Sequence, residues 1–384
     1  MSEVAAGTHF FDTVLHADAV EFCPILPWRD RAICGTYQLV ESDEGGKAEQ
    51  QERMGRLWVM CVGEDPGEKG VRARAESSLD VPGVFDIKWS GGATAETCTL
   101  GHAAADGALY TYSLGAREDS DDAPLRLHRE SKLQCGTKPG ALALSLDWDD
   151  KYEHQGLAGS TSRASGGGRR VAVSLSDGML CVADHRPDGS LEMSRQWEAH
   201  DMEAWIASWD CHDRETLYSG ADDGVLKRWD MRSPEVPTWV DRRSHQAGVC
   251  CIQSHPFVEH CLVTGSYDQT RAPVSELAVG GGVWRLKWNP VHNGLLAAAV
   301  MHEGFAVLRY DHASASFRQG GGALRRYKGG HDSLGYGIDW QYPLEGEDAE
   351  DGVGKEGVVG SASFYDHRFE VWDAEGAKED PDEG

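Results

Sequence analysis

The chain has 384 residues and a formal net charge of −26. Such acidity excludes a nucleic-acid binder, which needs Lys and Arg to meet phosphates, and suits a basic protein surface as partner. With no apolar run of roughly 18 residues, no segment is expected to cross a membrane.

The N-terminal MSEVAAGTHFFD has neither the basic start nor the apolar stretch of a signal peptide, so the cytoplasm is the expected compartment. Residues 8–16 look like a strand with no partner of their own. They are expected to close the fold as the outer strand of its last unit, beside Phe369 and Trp372. A short strand ending in an aromatic then recurs: AVEFCP (19–24), FDIKWS (85–90), LSLDWD (144–149), WIASWD (205–210), CCIQSHP (250–256), WRLKWNP (284–290) and YGIDWQ (336–341). Each copy is followed by an acidic or Gly-bearing turn, and most by another strand. The alternation is the period-2 signal of strands. Repeats of this length, with 46 glycines and 13 tryptophans, predict an all-β, seven-bladed β-propeller of the WD-repeat type.

The stretch 200–230 is the clearest copy. His200, Ser219, Asp223 and Trp229 occupy the places whose side chains bond across such a blade, so their expected role is a structural tetrad. The fifth copy is short. From Asp268 to Val283 the chain is shorter than from Asp223 to Val249, and RAPVSEL stands where a strand with Trp-Asp belongs. The fifth blade is therefore expected to be incomplete, either because it is degenerate or because the sequence lost a short coding segment, with residues 274–279 as the only candidate for its outer strand, and His245 is expected to pair with Asp268. Residues 41–55, 64–80, 115–139, 149–170 and 342–357 are polar and read as solvated loops. One propeller is expected over residues 1–373, with an acidic disordered tail from 374 to 384. Ten cysteines occur without a C-x-x-C pair, so buried thiols are expected, with no metal site and no cofactor. A monomer is expected.

Aligning the inner strands on their terminal aromatic brings Asp18, Phe85, Leu144, Trp205, Cys250, Trp284 and Tyr336 to one mouth of the channel. Asp222, Tyr267, His302 and Tyr365, from the turns, gather at the same face. Trp205, Trp284, Tyr336, Tyr267 and Tyr365 are expected to form an aromatic cage that attracts a cation, with Asp18 and Asp222 adding opposite charge. Packing of the rim alone is the alternative. His302, next to Glu303, is the candidate general base, with Asp222 beside it. Cys250 is a nucleophile only if its thiolate is stabilised. No G-x-S-x-G elbow and no H-E-x-x-H spacing occur, so the residues by themselves favour an interaction scaffold over an enzyme.

CGTYQL (34–39), LSLDW (144–148), AHDMEAWIASW (199–209), HQAGVCCIQSHP (245–256), GGVWRLKWNP (281–290), MHEGFAVL (301–308) and SFYDH (363–367) run in one order over nearly the whole chain. In these segments the sequence resembles the diphthine methylesterases, also called diphthine methyltransferases. The resemblance implies hydrolysis of a methyl ester on an intermediate of diphthamide synthesis. That intermediate, methylated diphthine on elongation factor 2, also carries a trimethylammonium group. A non-catalytic scaffold for the same factor remains the rival reading.

Overall fold

A computed structural model describes residues 10–40, 52–64, 70–92, 94–116, 123–152, 168–267, 277, 279–318, 324–344, 357–376 and 378–379. Among these the chain is built of strands and a single 3-10 turn, and no helix is long and apolar enough to cross a membrane.

Consecutive antiparallel strands make each sheet. The first holds Ala17–Phe22, Arg31–Leu39, Arg53–Glu64 and Val71–Pro82; the second Val84–Trp89, Leu100–Ala104, Ala108–Ala116 and Leu125–Gln134. The third runs from Ala143–Trp148 to Leu191–Glu198, and the fourth from Ala204–Trp209 to Trp239–Asp241. Next comes a two-stranded hairpin, Val249–Ser254 with Leu262–Ser266, and then a six-stranded sheet that starts at Arg285–Trp288. The last sheet holds Gly335–Trp340, Val358–Ser363 and Arg368–Asp373. Its fourth strand is Phe10–Asp12, with Phe11 opposite Phe369. The N-terminal segment thus pairs where the sequence puts it. Six sheets are full-width blades of a β-propeller, and the hairpin is not, so seven full blades are not present among the described residues.

The core lies between neighbouring sheets. Ile33 and Leu57 of the first sheet pack on Ile87 and Tyr110 of the second. Val20, Phe22 and Met60 of the first pack on Phe369 and Val371 of the last, which joins the two ends of the ring. The aromatic that ends an inner strand has a specific task. The indoles of Trp148, Trp209 and Trp340 donate to the carbonyls of Lys88, Asp147 and Lys287, 2.9–3.1 Å away on the preceding inner strand. Each tryptophan fills the wedge between two sheets and satisfies its own N–H there.

Two segments expected as loops are strands. Val71–Pro82 pairs along the whole of Arg53–Glu64, and Leu125–Gln134 pairs with Ala108–Ala116. Both are outer strands with one face in water, so charged residues alternate along them and hide the pattern. The tail expected from 374 begins with the 3-10 turn Ala374–Gly376 and the strand Lys378–Glu379, which pairs with Leu324–Tyr327. Asp268 and most of residues 274–279 lie outside the described residues. His245 Nε2 meets Thr264 Oγ1 at 3.0 Å.

Candidate functional site

Six inner strands shift register at their first turn, at Asp18, Phe85, Leu144, Trp205, Cys250 and Tyr336. A bulge leaves one residue unpaired and re-aims its side chain. This is how residues of equivalent rank converge on one mouth.

The rings there form a continuous series. Trp205 lies 5.6 Å from Trp284 and 6.1 Å from Tyr267, each measured between ring centroids and nearly edge-on. Tyr267 lies 5.8 Å from Trp284, and Trp284 stacks on Tyr336 at 4.7 Å. Tyr336 meets Phe364 at 5.1 Å, and Phe364 meets Tyr365 at 4.9 Å and Tyr37 at 5.0 Å. Trp205, Tyr267, Trp284 and Tyr336 are each half-buried, so part of each ring stays open. Tyr365 is 64% exposed at the rim. Gly248 keeps the mouth open beside Asp222. A Cβ there would stand 2.5 Å from Asp222 Oδ1 and 2.9 Å from the Tyr267 ring.

The charges are equally placed. Asp222 Oδ1 accepts from the Trp205 indole at 3.2 Å. Asp18 is buried under Trp284, and its Oδ1 has no hydrogen-bond partner among the described residues. Burial pushes its carboxyl up to about 7, against the pull of Arg285. Arg285 itself pairs with Asp86, which holds that carboxylate low at about 2 together with Lys88. The Trp284 indole bonds the same carboxyl, so Asp18 keeps one oxygen without a partner below open aromatic rings, an arrangement that can attract a cation.

The opposite mouth differs. It is a depression whose charges are Lys88, Lys151 and Lys287 against Glu21, Asp147 and Asp339. These pair among themselves, Lys88 with Glu21 at 3.3 Å and Lys287 with Asp339 at 3.5 Å, so no excess charge selects a ligand.

His302 is exposed on its turn and makes no hydrogen bond or ring contact among the described residues. The turn does face this mouth, because the neighbouring Met301 carbonyl accepts from Gly335 N at 2.8 Å. Cys250 is buried, its thiol pushed well above the usual range by burial, so it stays protonated. His200, Ser219, Asp223 and Trp229 form one bonded chain. Trp229 donates to Ser219 Oγ at 2.8 Å, and the His200 ring meets Ser219 at 2.8 Å and Asp223 at 3.1 Å. No group of three His, Cys, Asp or Glu residues that could hold a metal occurs among the described residues.

Sequence reasoning left out Tyr37, Phe364, His16 and His367. The His16 ring stacks on Phe364 at 4.6 Å, and its Nδ1 lies 3.0 Å from His367 Nε2. Nothing local signals that contact, which joins residues 351 positions apart.

Fold and site together define a WD-repeat-type propeller with an aromatic, acid-floored mouth. No protein-family model matches the chain. It is similar in fold, at a TM-score of 0.58 and 15% identity, to a chain in a crystal structure of the mitotic checkpoint complex, over 97% of this chain and 96% of that one. It is 36% identical to human diphthine methyltransferase over 356 residues, 87% of this chain and 74% of the human one. The mouse protein is 35% identical, over 86% of this chain and 68% of its own length. A homolog from Dictyostelium discoideum is 26% identical, over 97% of this chain and all of its own. The chain belongs to the diphthine methyltransferase family.

Proposed function

We propose that this chain hydrolyses the methyl ester of methylated diphthine on elongation factor 2, as a carboxylic ester hydrolase of diphthamide synthesis. Family membership supports the substrate. The observation that carries the reading to a site is the open aromatic cluster Trp205, Tyr267, Trp284 and Tyr336 above the Asp18 carboxyl, whose Oδ1 has no hydrogen-bond partner among the described residues. A trimethylammonium group cannot donate hydrogen bonds, so ring faces and a carboxylate are what can hold it. A bound cation draws the proton off Asp18 and completes the charge match. Asp222 and Tyr365 flank the same opening, and His302 lies on an adjacent turn. The hairpin at Val249–Ser254 is read as the fifth of seven blades, short of its outer strands. The cytoplasm suits the ten cysteines, none of which is in a disulfide.

Purified protein and a peptide bearing the trimethylammonium methyl ester test this directly. Methanol release with loss of the ester methyl supports hydrolysis, while binding without turnover would establish a scaffold instead. Trp284→Ala should weaken substrate binding by about 0.5–2 kcal/mol, roughly 2–30-fold, and leave turnover at saturation nearly intact. Wild-type affinity in that variant would place the cation elsewhere.

A further inference from the structure

The turns before the third strands follow one plan. In four of them a left-handed glycine comes after the turn acid: Gly107 (φ 73°), Gly178 (φ 82°), Gly224 (φ 69°) and Gly304 (φ 82°) follow Asp106, Asp177, Asp223 and Glu303. In the last sheet the residue after Asp366 is His367, at φ 57°. The left-handed region disfavours any side chain with a Cβ, and such strain persists where the surroundings hold it, often at working sites. Here they do hold it. The His367 carbonyl accepts from Thr13 N at 2.8 Å and from Thr13 Oγ1 at 3.0 Å, and its N–H donates to Phe364 O at 3.3 Å.

The imidazole so placed meets His16 at 3.0 Å. The His16 ring stacks on Phe364 and stands edge-on to Tyr365, 5.4 Å away. Phe364 is the ring that touches Tyr336, the last member of the cation cluster. Phe364 alone separates His16 from Tyr336, and His367 adjoins His16, with ring centroids 4.8 Å apart, so the pair lies within two rings of the cage.

We propose that His367 is the general base of the ester hydrolysis and that His16 is its positioning residue, a proposal that rests on the ester-hydrolase reading. Burial and the neighbouring His367 lower the basicity of His16 and keep its ring neutral, while a bond to the Phe364 main chain opposes them. In the proposed arrangement that bond uses the one N–H of the neutral His16 ring, and His16 Nδ1 accepts from His367 Nε2–H. His367 Nδ1 is then left with its lone pair. It takes a proton from water as the water oxygen bonds to the ester carbon. The C–OCH3 bond breaks, the proton passes to the departing methoxy oxygen as methanol, and the new carboxylic acid releases its own proton to solvent. The other titratable or charged groups around the pair are Asp366, Arg368, Asp332, Tyr365, Tyr37 and Asp12. Asp366 is engaged by Ser363 at 2.5 Å and by Asp332 N at 2.8 Å.

His367→Gly supplies the test, because glycine is the residue the other turns use. The variant should fold as well as the wild type and bind tetramethylammonium equally, while kcat falls roughly 10²–10⁴-fold. His16→Ala should lower kcat less and move the pH at which activity is lost in acid. His16→Asn, which can still accept from His367, should restore that pH profile. Wild-type kcat and pH profile in His367→Gly would overturn the proposal, as would a loss confined to His302→Ala. No methanol from the wild-type protein would sink the ester-hydrolase reading and this proposal with it.

Discussion

The fourth and last sheets share a frame and differ at its corner. In both, a tryptophan of the third strand donates to a serine that also meets a buried histidine: Trp229, Ser219 and His200 in one, Trp372, Ser361 and His331 in the other. In the fourth, Asp223 closes directly on the ring at 3.1 Å. In the last, Ser363 stands between them, 2.5 Å from His331 Nδ1 and donating to Asp366 at 2.5 Å. One inserted hydroxyl moves the acid outward and separates the frame from the turn. The turn of the fourth sheet ends in glycine, and that of the last ends in the histidine that meets His16. The frame holds the blade, and the turn is where chemistry can be added.

The largest effect should come from the frame. Trp372→Ala and Trp229→Ala each remove a buried indole and its bond to serine. Each should cost about 3–5 kcal/mol, read as a fall in denaturation midpoint at constant slope. A loss under about 1 kcal/mol at Trp372 would mean that the last sheet is held by its strand from the N-terminal segment instead.

Acid should separate the two sheets next. Burial and then Arg368 depress His331 to about 3, whereas Asp223 partly offsets the burial of His200. The folded protein needs His331 neutral, while the unfolded chain binds a proton at about 6.5. The stabilisation is therefore complete above that pH and drains as pH falls toward 3, by about 1.4 kcal/mol per unit. Urea titrations at about pH 7 and about pH 5 should differ by roughly 2 kcal/mol from this group alone, with His331→Gln flattening the slope. Hydrogen exchange should place the early opening in the last sheet. An unchanged slope in His331→Gln would assign the acid sensitivity to other groups.

Much of the frame is written in the sequence, and less of the corner. The inner strands lie where the repeat puts them, because most are buried on both faces and their residues answer to packing. The mouth positions follow from the same alignment. The outer strands Val71–Pro82 and Leu125–Gln134 are obscured because water covers half of each. The frame of the last sheet is hidden by the long polar insertion between His331 and Ser361. SFYDH displays His367 openly. Its left-handed backbone and its contact with His16 are properties of the closed ring, which no local pattern records.

The finest test reverses the corner. Gly224→His would place an imidazole on the fourth turn, where His367 stands on the last. Space is not the obstacle, since a Cβ at Gly224 lies 3.5 Å from the nearest atoms, the His245 and Ala247 carbonyl oxygens. The cost is then the left-handed backbone alone, about 1–2 kcal/mol, and for a chain of this size a melting shift of roughly 2 °C per kcal/mol. His367→Gly should gain a similar amount, since it releases the same strain. If Gly224→His melts with the wild type, a side chain costs nothing at φ 69° in this turn. The backbone of His367 would then no longer mark it as a residue kept for chemistry, and the assignment would stand on the His16 contact and the kinetics only.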